Sequence, residues 1–272
     1  MTIIEAIVLG ITQGATEFIP ISSSAHLVLV PWLFGWDKPA LTFDTTLHLG
    51  TLLAVLIYFR KDWLTMLAAI PRWLRTRNSN DPDLKLLGLI ILGTIPAAVL
   101  GMLFEDFFES LFSQPVTTAA MLFVTAAILV VSERLGKLDR QLETLNWLDS
   151  VVVGLAQAAA IIPGISRSGA TIAAGRLRNL QRDSAARFSF LLSAPIIFGA
   201  GISQLARLIH EGASLAGVAF LVAGFLSAFV SGYLVIWWLL GFLRTRSTYI
   251  FALYCVLAGA ACLIIALLRG AL

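Results

Sequence analysis

Two apolar stretches of this chain, residues 3–36 and 148–175, are cut by proline and serine, and the places where such breaks can sit constrain the fold most. Six further stretches, at about 43–59, 86–104, 115–132, 188–209, 214–243 and 248–268, are apolar over lengths that cross or nearly cross a bilayer. A crossing helix needs roughly 17–25 such residues. The first is short at these limits. The fifth is long and contains Gly232, where a tilt or break is expected. Charged residues are 13% of the 272 and hydrophobic ones 58%, against roughly 25% and about 45–50% in soluble domains. That is too little charge to wet a globule of this size, so a multi-pass membrane chain is expected. No segment outside the apolar stretches is large enough to fold alone. Met1 to Glu5 lacks the basic lead of a cleavable signal peptide.

The first break runs from Gln13 through Glu17, Pro20, Ser22, Ser23 and Ser24 to His26, and the second from Pro163-Gly164 through Ser166-Arg167-Ser168-Gly169 to Thr171. Each flank supplies about 10–15 apolar residues, short for a full crossing. Two half-helices joined by a polar turn, a re-entrant hairpin, fit better. Irregular backbone at membrane depth is tolerated only when buried in protein or lining a wet cavity.

Charge sets the orientation. The segments 60–85, 133–147, 176–187 and 244–246 hold 15 of the 19 Lys and Arg, while the opposite loops carry Glu105, Asp106, Glu109 and Glu211. Basic loops face the cytoplasm, so with hairpins returning to their own side both termini fall outside. Trp63, Trp73 and Trp147 then lie near the inner interface, and Trp32 and Trp36 near the outer one. A shift of 144 residues aligns Gly10 with Gly154, Gln13 with Gln157, Ala15 with Ala159, Ile21 with Ile165, Ser22 with Ser166 and Ser24 with Ser168. The expected fold is an all-α polytopic membrane protein of two inverted-topology repeats, each a re-entrant helix hairpin plus three transmembrane helices. Residues 1–272 form one transmembrane domain, with repeat 1 at about 1–147 and repeat 2 at about 148–272. Inverted repeats place a site near the midplane, where broken helices meet.

Arg167 is the most informative residue, because a charge at membrane depth is functional by default. A buried ion pair with Glu17 is the plainer reading. Ser166, Ser168 and Thr171 add hydroxyls, and Gly164 and Gly169 let backbone approach a ligand. A helix starting near Gly169 would aim free N–H groups at an anion, and a guanidinium fork binds phosphate through two bonds. Glu17, four residues after Gln13 on one helix face, suits a divalent-metal ligand or a base for a hydroxyl nucleophile. Gln13 could add a neutral oxygen to the metal. His26 is an acid–base candidate, and Ser22, Ser23 and Ser24 are phosphate ligands or helix caps. Cys255 and Cys262, seven apart in one apolar run, are read as packing residues.

These two segments resemble the signatures of the integral-membrane undecaprenyl-diphosphate phosphatases, the bacitracin-resistance proteins. The second matches Pro-Gly-x-Ser-Arg-Ser-Gly-x-Thr at every fixed position. The similarity extends to Phe43-Asp44, His48-Leu49-Gly50-Thr51 and Phe188-Ser189-Phe190-Leu191-Leu192. It implies metal-assisted hydrolysis of undecaprenyl diphosphate to undecaprenyl phosphate and inorganic phosphate, which recycles the carrier lipid for peptidoglycan synthesis. It places the protein in the bacterial plasma membrane with its site opening outward. Glu17, Ser23, His26, Ser166, Arg167 and Thr171 would line that site, with Ser23 the nucleophile and Mg2+ or Ca2+ the metal. Membrane lipids are expected partners, nucleic acid is not, and a homodimer is a candidate assembly. Gln13 stands where the pattern allows an acid, and Cys255 follows Tyr254 where many relatives have arginine. A lipid-phosphate flippase built on the same repeats is the alternative. The other large lipid-phosphatase superfamily needs an Arg-Pro dipeptide that this chain lacks.

Overall fold

The computed structural model describes residues 1–78, 80–104, 114–211 and 215–270, with side chains described for all of these except 203–211 and 215–217. Glu105, Asp106 and Glu109 lie outside the described residues, as does the side chain of Glu211. The described residues form eleven α-helices: α1 (Ile3–Phe18), α2 (Ser23–Phe34), α3 (Leu41–Tyr58), α4 (Arg60–Thr76), α5 (Pro82–Leu103), α6 (Pro115–Leu135), α7 (Trp147–Ala159), α8 (Arg167–Leu177), α9 (Arg182–Glu211), α10 (Leu215–Leu243) and α11 (Tyr249–Leu268). Six are long and apolar enough to cross a membrane, at Leu41–Tyr58, Pro82–Leu103, Pro115–Leu135, Arg182–Ile202, Val218–Leu243 and Tyr249–Leu268. The all-helical, six-span architecture expected from the sequence is present.

Helix ends follow local chemistry. α1 begins at a capping box in which the Thr2 hydroxyl accepts from Glu5 N and the Glu5 carboxylate accepts from Thr2 N. It ends where Ile19, preceding Pro20, turns to extended backbone. Asn146 and Asp149 repeat the capping box at the start of α7. Asp81 caps α5, with Pro82 in its first turn.

Glycine lets helices approach closely. A Cβ on Gly10 of α1 would lie 2.5 Å from the Gly224 carbonyl of α10, and one on Gly154 of α7 would strike the Gly93 carbonyl of α5. The break expected at Gly232 is absent, and α10 is continuous there. Gly232 instead makes room for the Phe18 ring and Ala54. The segment 60–85, read from sequence as a loop, contains α4. This helix buries Met66 and Ala69 and leaves Leu64, Leu67, Ile70 and Leu74 exposed. Its basic residues lower the average hydropathy and mask this three-sided pattern.

The four basic segments meet at one end of the molecule. Arg187 pairs with Asp62, and Arg182 with Glu133, whose carboxylate also accepts from Thr248 N and Oγ1. Asp149, fully buried, takes Arg140 at 2.7 Å and Arg178 at 2.6 Å. That bond holds the Arg140 guanidinium above its ordinary pKa, although partial burial works against it. Arg176, 1% exposed, donates to the carbonyls of Gly136, Lys137 and Leu180.

Candidate active site

Helices α1 and α2 are joined by a tight turn at 19–22. Ser22 adopts a left-handed φ of 74° and caps α2, its hydroxyl accepting from Ala25 N at 3.2 Å. Such backbone in a non-glycine residue costs of order 1–3 kcal/mol and persists only where the surroundings enforce it. The turn puts Ser23 in the first position of α2, above the last turn of α1. Its hydroxyl donates to Glu17 Oε2 at 2.5 Å. Gln13, one turn earlier on α1, donates Nε2 to the same oxygen at 3.0 Å. Glu17 is 4% exposed, and its other oxygen accepts Arg167 Nη2 at 2.8 Å.

Arg167 arrives from the second turn, between α7 and α8. Gly164 there has a φ of 94°, and a Cβ would strike the Thr118 carbonyl of α6. Its own carbonyl accepts from Thr125 Oγ1 at 2.9 Å, and that oxygen accepts from Ser166 N at 2.9 Å. Ser166 caps α8 by accepting from Gly169 N at 3.0 Å. The two turns touch where Ser168 Oγ donates to the Ile19 carbonyl and Gly164 N to Ser24 Oγ. The plainer reading of Arg167 as an ion pair with Glu17 thus holds in this structure, with one guanidinium nitrogen, Nη1, buried and without a partner.

The remaining candidates sort by their contacts. Gln13, Glu17, Ser23 and Arg167 converge on one point, and Ser22 joins Glu17, Ser23 and Arg167 on a cavity wall. Ser166, Ser168, Gly169 and Thr171 lie behind it. Thr171 Oγ1 bonds to the Arg167 carbonyl at 2.7 Å and to Ser189 Oγ at 2.6 Å. The Gly169 N–H, expected to be free for an anion, is taken up by the Ser166 cap. His26, an acid–base candidate by sequence, has both its nitrogens engaged. Nδ1 donates to the Ser22 carbonyl at 2.7 Å, which leaves Nε2 to accept from Tyr254 Oη at 2.7 Å. The histidine on the cavity is His48 of α3. Its Nδ1 donates to the Asp44 carbonyl at 2.8 Å, and its Nε2 stands 3.8 Å from Glu17 Oε2. Asp44, Lys38 and Gln157 also line the cavity. Asp44 and His48 were readable as polar residues one turn apart in an apolar span, and Gln157 as the repeat partner of Gln13. Cys255 and Cys262 are buried and free, as their spacing suggested, with Cys255 Sγ near the Pro20 carbonyl.

The cavity measures about 880 Å³. Its polar floor is Glu17, Ser22, Ser23 and Arg167. Its walls are mostly apolar, from Leu27, Val28, Pro31 and Trp32 of α2 to Ile161, Ile165, Ile196 and Ile197, with Lys38, Asp44, His48 and Gln157 as polar exceptions. It can hold an anionic headgroup at the floor and an aliphatic tail along the walls.

Comparison with known proteins agrees with this chemistry. A profile described as bacitracin resistance protein BacA matches residues 6–261. An undecaprenyl-diphosphatase of Desulforudis audaxviator is 46% identical over 98% of this chain and 98% of its own. One from Moorella thermoacetica is 45% identical, covering 96% of each, and one from Gloeobacter violaceus is 45% identical over 95% of this chain and 90% of its own. With nearly its whole length matched and its two polar turns meeting at one floor, this chain belongs to the bacitracin resistance protein BacA family.

Proposed function

We propose that this chain hydrolyses undecaprenyl diphosphate to undecaprenyl phosphate and inorganic phosphate at the outer face of the plasma membrane, returning the carrier lipid to peptidoglycan synthesis. One observation carries the reading: a serine hydroxyl 2.5 Å from a buried carboxylate that an arginine also holds, at the floor of an apolar cavity. Ser23 Oγ attacks the terminal phosphorus while its proton passes to Glu17 Oε2. A bond forms from Oγ to phosphorus, and the bond from phosphorus to the bridging oxygen breaks. Undecaprenyl phosphate departs. Glu17 hands its proton to the departing phosphate; water then attacks the phosphoserine phosphorus, the bond from Oγ to phosphorus breaks, and the proton Glu17 takes from the water returns to Ser23 Oγ as inorganic phosphate is freed. Arg167 turns its unpaired Nη1 to the equatorial oxygens, where charge spreads in phosphoryl transfer. Ser166, Ser168 and Thr171 act by fixing the turn that carries it.

A divalent metal fits these residues. The Gln13 Oε1 is buried without a partner beside the Glu17 carboxylate. Two hard oxygens with substrate phosphate are the kind of donor set Mg2+ accepts, and Ca2+ suits the same atoms. When bound, the metal would neutralise charge on the diphosphate.

The inverted repeat and the re-entrant hairpins belong to the same reading. They are supported by the matched approaches of Gly10 to Gly224 and Gly154 to Gly93, and by Ser22 and Ser166 capping equivalent helices. The outward site is supported by chain direction. α3 runs from the cavity at Leu41 to the basic end at Arg60, and α9 from the basic end at Arg182 to the cavity at Ile196 and Ile197. Both termini then lie outside. A reporter fused after Leu272 that works only in the cytoplasm overturns that topology. Phosphate release from undecaprenyl diphosphate by detergent-solubilised protein tests the activity, since no second compartment remains for a transporter. Wild type should release phosphate and Ser23→Ala should not. Binding without release returns the flippase to first place.

A further inference from the structure

Of the polar side chains on the cavity wall that have no task in this mechanism, one is idle at both ends of its polar group. Gln157 lies in the last turns of α7, is 2% exposed, and has no hydrogen-bond partner at either Oε1 or Nε2. A glutamine amide offers two donors and an acceptor. Leaving both ends idle in a protein interior forfeits their hydration with nothing in return. The wall beside it is apolar, formed by Ala97, Ala160, Ile161, Ile196 and Ile197. An aliphatic residue would pack there at lower cost, so packing does not explain the glutamine.

Its repeat counterpart sharpens the point. Gln13 and Gln157 stand at the same distance before Pro20 and Gly164. Gln13 finds Glu17 one turn later, but the position one turn after Gln157 holds Ile161, which offers nothing to bond. Arg167, on the same cavity, also carries a buried nitrogen without a partner. The cavity is therefore bordered by two N–H donors, Gln157 Nε2 and Arg167 Nη1, that no protein acceptor takes up, while Asp44 adds an unpartnered carboxylate oxygen to the same lining. A diphosphate, with non-bridging oxygens on two phosphorus atoms, supplies acceptors for both.

We propose that Gln157 is a substrate-binding residue whose Nε2 donates to a non-bridging oxygen of the lipid diphosphate while Arg167 Nη1 holds another; this rests on the reading of the chain as a lipid-diphosphate phosphatase. The test uses full-length protein in detergent and a methylene-bridged lipid diphosphonate, which binds but cannot be cleaved. Gln157→Met, close in shape and apolar, should weaken binding of this probe about tenfold or more, the effect of losing a bond to a charged group. Its ligand-free Tm should hold or rise, because an idle polar group has gone. Gln157→Glu, setting a negative charge against the diphosphate, should bind the probe more weakly still. Unchanged probe affinity in both variants overturns the proposal. So does a fall in kcat alone with probe binding intact, which would make Gln157 a residue that orients water. A lower ligand-free Tm with normal binding would make it structural and also overturns it. Wild type is assayed in parallel for phosphate release. Failure there refutes the phosphatase reading, while the probe still reports whether Gln157 meets the diphosphate.

Discussion

The two hairpins share a frame and divide the chemistry. α1 with α2 and α7 with α8 each end in a turn capped by a serine, Ser22 or Ser166, that accepts from the backbone N–H three residues on. Each first helix carries a glycine against another helix backbone and a glutamine one turn later. They differ at the positions that face the cavity. Glu17 in the first hairpin corresponds to Ile161 in the second, and Ser23 corresponds to Arg167. In the proposed mechanism the first hairpin supplies nucleophile and base, and the second supplies the cation. On that reading neither half holds a complete site, and the arrangement forms only where the two turns touch.

The largest test of that division is at the paired positions Ser23 and Arg167. Ser23→Ala should lower kcat by at least about 10³-fold, as removal of a nucleophile does. Ser22→Ala and Ser24→Ala should cost far less. Rapid quenching with labelled substrate should trap a phosphoserine in wild type. Substantial turnover by Ser23→Ala, or no trapped phosphoserine, breaks the proposal that the first hairpin provides the nucleophile. Arg167→Lys should cost about 10³-fold or more, because lysine keeps the charge but loses the planar fork. A near-normal kcat/KM there would show that the second hairpin contributes only net charge.

A smaller loss, about 10²–10⁴-fold, is expected for Glu17→Gln, with the protein still folded. Activity retained across a metal titration would make the carboxylate a structural partner of Arg167. Gln13→Glu sets two acids one turn apart at the floor. Without divalent metal its Tm should fall, and added Mg2+ should recover it at a lower concentration than wild type needs for half-maximal activity. A Tm indifferent to metal would remove Gln13 from the metal site.

The smallest effects separate the caps. Ser22→Ala and Ser166→Ala should each lose about 0.5–2 kcal/mol of stability. Glycine should split them. Ser22→Gly relieves the left-handed backbone and should hold or raise Tm, while Ser166→Gly, where φ is −69°, gains no such relief and should lower it slightly. Equal responses would show that the strain at Ser22 is not specific to the first turn.

How much of this was legible in the sequence depended on whether a signal was local. The spans, the breaks, Glu17 and Arg167 could be read because length, proline and charge in an apolar run each leave a local mark, whereas only the family resemblance separated Ser23 from its two neighbouring serines. α4 could not be read from average hydropathy, since Lys61, Arg72 and Arg75 offset its leucines. Gly232 misled because a glycine in an apolar helix can mark either a break or a close contact, and only the neighbouring Phe18 decides. His26 and His48 show the same limit. Sequence places His26 beside the serines, and only tertiary packing turns its ring to Tyr254 and brings His48 to Glu17 from another helix.

A knot of ion pairs holds the basic end of the molecule together. Opening that end would strip Arg140, Arg176, Arg178 and Arg182 of the carboxylates and carbonyls they hold. Each bond lost from a buried charged group costs about 1.5–3 kcal/mol, the most at Arg176 and Asp149, which are buried. In the proposed reaction a lipid that enters the cavity leaves by the way it came, one phosphate lighter. On the proposed outward reading, the leaflet that supplies the diphosphate also receives the monophosphate.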